Sequence, residues 1–118
     1  PAQVKAVISA VKEAYPALEL MVHFHDTRGL GMVNTMAAIE SGITKVQSAL
    51  GGLGGCPFAP GATGNTATED FAYVLELEGY DTGIDQKKLV EAARLEAEKI
   101  PGNYSGHHMH ITVEQKGF

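Results

Sequence analysis

One cysteine in 118 residues excludes an internal disulfide, and with it the stapled scaffold of small secreted domains. Basic residues are scarce as well: 9 Lys and Arg stand against 14 Asp and Glu, for a net charge of −5. Without a basic surplus, binding to a nucleic-acid backbone has little electrostatic support. No apolar run approaches the roughly 20 residues of a membrane helix, and no secretory signal is visible. Neither a nucleic-acid nor a membrane partner is therefore expected. A lone thiol fits a reducing compartment by default. The chain opens at Pro1, not at methionine, which suits processing or a piece of something longer.

The apolar share of 44% is ordinary for a globular protein, and the length suffices for one domain with a moderate core. Residues 2–15 place Val4, Val7, Ile8, Val11 and Tyr15 on one helical face, and Pro16 stops that helix. "ALELMVHF" (17–24) then reads as a strand. "GLGMVNTMAAIESG" (29–42) returns to helix through Val33, Met36, Ala37 and Glu40, with Gly42 at the position after its end. "TKVQSAL" (44–50) is a second short strand. In "TATEDFAYVLELEG" (66–79), Thr66 and Glu69 have capping-box spacing, and Phe71, Val74 and Leu75 form the apolar face. "DQKKLVEAARLEAEKI" (85–100) is the last helix, capped by Asp85, with Leu89, Ala93 and Ile100 inward. Within the tail, "MHITVEQ" could pair as an edge strand. Strands alternating with helices argue for parallel βα units. Two or three strands are few for a complete α/β domain, so the pattern reads as part of a larger one.

Two stretches carry candidate chemistry. In "HFHD", His23 and His25 share one face of a strand end, where two imidazoles can bind one metal ion or simply hydrogen-bond. Leu20, Val22 and Phe24 point the other way, toward covering helices. Asp26 follows at the turn and could orient a histidine. The second stretch is "GGLGGCPFAPGATGN" (51–65), which places the single cysteine, Cys56, among residues hostile to helix and strand. Its glycines permit close backbone approach to a ligand, while Pro57 and Pro60 limit its freedom. Cys56 could be a small buried hydrophobe, although flanking glycines offer it little packing. Asn65 could lend an amide oxygen to a hard cation or cap the following helix. Together, His23, His25, Cys56 and Asn65 fall at the C-terminal ends of consecutive parallel strands. That is the face on which α/β barrels build active sites.

"HFHDTRGLGMVNTMAAIESG" followed by "GGLGGCPFAPGATGNTATEDFAYVLE" closely resembles the 3-hydroxy-3-methylglutaryl-CoA lyase family, within the metal-dependent lyases and Claisen synthases on TIM barrels. The H-x-H pair is shared across that group; the loop from "GLGGCP" through "GN" marks the lyase branch. The resemblance implies the C-terminal portion of a (β/α)8 barrel. It implies His23, His25 and Asn65 as ligands of magnesium or manganese, and Cys56 on a loop that closes over the substrate and takes part in proton transfer. The implied reaction is a retro-Claisen cleavage of a 3-hydroxy-3-methylglutaryl-CoA-like acyl-CoA to acetyl-CoA and a 3-oxoacid. A related Claisen synthase, a 4-hydroxy-2-oxoacid aldolase and a non-catalytic interaction fragment are the alternatives.

The family barrel runs to about 250 residues or more, and its remaining metal ligand is an aspartate from the first strand, which has no counterpart in this chain. Residues 1–102 are accordingly expected to be the last βα units of a barrel and 103–118 a tail. The implied partners are an acyl-CoA, the missing N-terminal half of the barrel and further copies in a homo-oligomer. The implied location is cytoplasmic, or the mitochondrial matrix in a eukaryote. His107, His108 and His110 invite a second metal cluster, but nothing nearby has ligand spacing, and a solvated tail is expected there.

Overall fold

The structure, a computed structural model, describes residues 1–55, 58 and 64–111. Helix α1 spans Ala2–Ala14, strand β1 Met21–His23, helix α2 Gly31–Glu40 and strand β2 Lys45–Gln47. A 3₁₀ turn at Leu50–Gly52 follows; then come α3 (Thr68–Leu77), α4 (Gln86–Lys99) and a second 3₁₀ turn at His108–His110. The α/β alternation read from the sequence is present, and the two strands are parallel, with Val22 opposite Val46 and His23 opposite Gln47.

Both strands are three residues long, shorter than the seven or so expected. Beyond them the chain continues as single bridges. Ala49 pairs with Ala67 in parallel and His25 pairs with Asn65 antiparallel. Residues 64–68 thus lie across the far ends of β1 and β2. Ala49 N donates to Thr66 O at 3.0 Å, Thr66 N to Phe24 O at 3.3 Å, and Asp26 N to Gly64 O at 3.1 Å. These bonds gather the described parts of the two candidate stretches, including His25 and Asn65, at one end of the sheet.

The core under this sheet is small. Ile8 of α1, Ala38 of α2 and Ile43 are buried together, with Leu20, Val22, Phe24 and Val46 packed against them. The strand alternation therefore holds: Leu20, Val22 and Phe24 turn to the helices and the histidines turn away. At the end of α2, Gly42 adopts φ 89° and lets Ile43 N return to Ala38 O at 3.1 Å. The buried face of α2 is Gly31, Thr35, Ala37 and Ala38, whereas Val33 and Glu40 are exposed. On α4, Val90 and Ala93 are buried and Ile100 is exposed. On α2 the small buried side chains suit close packing against the sheet, whereas α4 packs on α3 and the 3₁₀ turns, and Ile100 lies just beyond its last turn. Of the edge strand expected over residues 109–115, Met109 and His110 belong instead to the second 3₁₀ turn; residues 112–118 lie outside the described residues.

Val7, Leu18 and Met21 are each more than half exposed beside β1. Among the described residues, nothing pairs with the outer edge of β1. Such an edge and its apolar flank are what a neighbouring βα unit covers in a closed barrel. No described helix is long and apolar enough to cross a membrane.

Candidate active site

His23 ends β1, and His25 follows after one residue. Their rings meet edge to face with centroids 5.2 Å apart, so the alternation expected from sequence brings both imidazoles to one place. Asn65 arrives from the other stretch. Its Oδ1 lies 3.0 Å from His23 Nε2, while its Nδ2 donates to Leu53 O at 2.8 Å. The amide is thereby oriented, because the donor end is used by the Leu53 carbonyl and the acceptor end faces the histidine. Asn65 does not cap α3. That helix has no side-chain cap; its N-cap residue is Ala67.

Two imidazole nitrogens and an amide oxygen are a donor set that a divalent cation accepts, with further positions left for other ligands. Among the described residues no three His, Cys, Asp or Glu side chains form a metal cluster. The convergence here is of two histidines with an asparagine. The residues present fit the implied ion as part of its ligand shell. Asp26, expected beside a histidine, instead accepts from Gly31 N at 2.8 Å and ties the turn to the start of α2. Cys56 lies outside the described residues.

Beneath Asn65 the structure departs further from expectation. The capping box of Thr66 and Glu69 does not form. Thr66 Oγ1 donates to Phe24 O at 3.0 Å, and Glu69 is fully buried. Glu69 Oε2 accepts from Gly51 N at 2.9 Å, while Oε1 has no hydrogen-bond partner among the described residues. Burial raises the Glu69 pKa from its ordinary value; the bonds from backbone amides oppose that only in part. Next to it, Asp70 is also buried. Its Oδ2 accepts from the His107 amide and Nδ1, and its Oδ1 from the His108 amide and Nδ1, all at 2.8 Å. Burial would raise the Asp70 pKa, but these bonds outweigh it and hold the carboxyl below its usual value.

The tail up to Ile111 is therefore docked, contrary to the solvated tail expected. His108 is largely buried, with its ring centroid 4.4 Å from that of Tyr73, whereas His107 remains exposed. Arg94 of α4 donates to the carbonyl oxygens of Met109 and Ile111. The sequence singled out Glu69 as a capping-box residue one helical turn after Asn65, but it passed over Asp70, because acids in the first turn of a helix are ordinarily solvated and favoured there by the helix dipole. The available signal was the place of Asp70 directly before Phe71, on a helix that also had to meet a glycine-rich turn.

The HMGL-like family profile matches residues 1–95. The chain belongs to the HMGL-like family. Hydroxymethylglutaryl-CoA lyase YngG of Bacillus subtilis is 46% identical over 100 residues, which are 85% of this chain and 33% of that protein. The human mitochondrial hydroxymethylglutaryl-CoA lyase is 48% identical over 92 residues, 78% of this chain and 28% of that protein. Among solved structures, the Bacillus subtilis HMG-CoA lyase superposes with a TM-score of 0.83 at 42% identity, over 92% of this chain and 37% of that one. The HMG-CoA lyase of Acinetobacter baumannii, solved with coenzyme A and 3-methylmalate, gives 0.75 at 49% identity, over 82% and 32% of the two chains. This member of the HMGL-like family thus spans about a third of its relatives' length, and its fold is part of their (β/α)8 barrel. The tail beyond residue 95 lies outside the profile match.

Proposed function

We propose that the barrel to which this chain contributes is a divalent-metal-dependent carbon–carbon lyase acting on a 3-hydroxy-3-methylglutaryl-CoA-like thioester. The observation that carries this reading is the convergence of His23 Nε2 and Asn65 Oδ1 at 3.0 Å, with His25 packed against His23, at the strand ends of an HMGL-like chain. The family's name and the coenzyme A bound to the Acinetobacter relative support an acyl-CoA substrate.

In this reading His23, His25 and Asn65 hold magnesium or manganese. When bound, that cation supplies Lewis acidity toward the oxygens of a tertiary 3-hydroxyacyl-CoA. The rest falls to side chains. A general base in the assembled barrel takes the hydroxyl proton, and the C–O bond becomes the new carbonyl of a 3-oxoacid. The adjacent C–C bond breaks, and its electron pair leaves on the thioester fragment as an enolate. That carbon needs one proton to become acetyl-CoA. A cysteine thiol, with a pKa of about 8.5 in a free peptide, is able to donate such a proton at neutral pH, and this reading gives that role to Cys56. The proposed whole includes the N-terminal part of the barrel and its further acidic ligand.

The test is a lyase assay on a chain of the relatives' full length with 3-hydroxy-3-methylglutaryl-CoA. Activity should vanish with EDTA and return with magnesium or manganese. Cleavage that persists after complete chelation, or no cleavage in the metal-loaded protein, would overturn the reading.

A further inference from the structure

Every polar atom of Asn65 has a partner, and one of those partners comes from the far end of the chain. Its backbone N donates to Gly52 O at 3.3 Å, its Nδ2 to Leu53 O, and its Oδ1 faces His23. Its carbonyl oxygen accepts the Ser105 hydroxyl at 2.6 Å, the shortest of the four contacts. Gly52 O lies farther from that hydroxyl, at 3.4 Å, so the single proton goes to Asn65.

Ser105 does not reach this place by accident of a loose tail. On one side Gly54 N donates to Asn103 O at 3.3 Å; on the other Gly106 N donates to Gly51 O at 2.9 Å, and Asp70 grips the next two residues. The glycine-rich turn is shaped to admit it. A Cβ on Gly52 would sit 2.0 Å from Ser105 Oγ, and one on Gly64 would sit 3.1 Å from Ser105 Cβ. Part of the glycine content of the 51–65 stretch therefore makes room for residues 104–106.

We infer that Ser105 is a positioning residue for Asn65: its hydroxyl fixes the Asn65 carbonyl, and through it the direction in which the amide oxygen faces His23. Ser105 itself touches neither imidazole. The inference rests on the reading of Asn65 as a metal ligand, and it gives the C-terminal segment, outside the profile-matched region, a share in building the site.

A double-mutant cycle read by metal affinity tests it. Manganese is titrated by electron paramagnetic resonance into a chain of full relatives' length: wild type, Ser105→Ala, Asn65→Ala and the double variant. Losing one hydrogen bond that positions a ligand should weaken manganese binding about fivefold. In the Asn65→Ala background the second substitution should cost nothing more, since there is no amide left to aim. Equal weakening in both backgrounds, or an unchanged affinity with only a lower melting temperature, would overturn the positioning role. If the alanine variant fails to fold, Ser105→Cys, close in shape and a weak donor, takes its place in the same cycle. Wild-type protein that binds no manganese, or Asn65→Ala binding it as wild type does, would instead overturn the metal reading, and this inference with it.

Discussion

Asn65 Oδ1 and His23 Nε2 face each other at 3.0 Å across 42 residues of chain. The contact needs β1 and β2 in parallel register, and it needs residues 64–68 bonded across their ends. It also needs the amide turned by Leu53 O. His25, on the same face, packs its ring edge to face against that of His23, with centroids 5.2 Å apart.

Because strand alternation puts both histidines on that face, neither should be dispensable for the cation. His25→Ala should lose more manganese affinity than the roughly 10- to 100-fold that follows loss of a ligand's outer partner. Calorimetric titration of the full-length variant checks this; retained affinity would remove His25 from the ligand set.

Cys56→Ser separates chemistry from binding. If the thiol delivers the proton, the variant should keep its fold and its manganese affinity while losing most turnover, by a factor within the 10²–10⁴ typical of general acid–base catalysis. A variant that unfolds would make Cys56 a packing residue; normal turnover would make it a bystander.

The site's layout was more legible in the sequence than its foundations. The period of two placed His23 and His25 together, and the loop's position after the second strand brought Asn65 to the same end. The first of these depends on local geometry alone, and the second on the order of parallel βα units. The foundations depend on a contact between residues 103–108 and the glycine-rich turn, and no local rule anticipates that. Thr66 and Glu69 had capping-box spacing, yet Thr66 is recruited by Phe24 O and Glu69 by Gly51 N. The histidines of the tail lacked ligand spacing, which argued for a solvated tail over a metal cluster, but Asp70 anchors His107 and His108. Tertiary partners took over groups whose local chemistry pointed elsewhere.

Asp70→Asn tests that anchor. An amide can accept but cannot present two charged oxygens to four donors, so loss of these charge-assisted bonds should cost about 2 kcal/mol. Residues 103–111 should then exchange their amide hydrogens faster than in wild type. The pH sign follows from the depressed pKa: the contribution is complete above the ordinary aspartate value near 3.8 and is lost as pH falls through the lower folded value. Unchanged exchange at His107 and His108 would contradict the anchor.

Glu69 should behave oppositely. Its folded pKa is raised, so the folded chain keeps a proton that the unfolded chain releases, and stability declines as pH climbs from about 4.5 through the folded value. Glu69→Gln should abolish that decline in metal-free protein. Urea midpoints measured from pH 4 to 8 in both forms would show it as a flatter profile for the variant. Parallel profiles would mean that Glu69 is ionised in the folded state throughout.

The most direct measurement is manganese titration of a full-length protein carrying His23→Ala and, separately, Asn65→Ala. The account expects one tight site in wild type that is lost in His23→Ala and clearly weakened in Asn65→Ala, with lyase activity falling in step. Tight, unchanged manganese binding in both variants would contradict it, because the cation would then sit somewhere other than the corner these two residues form.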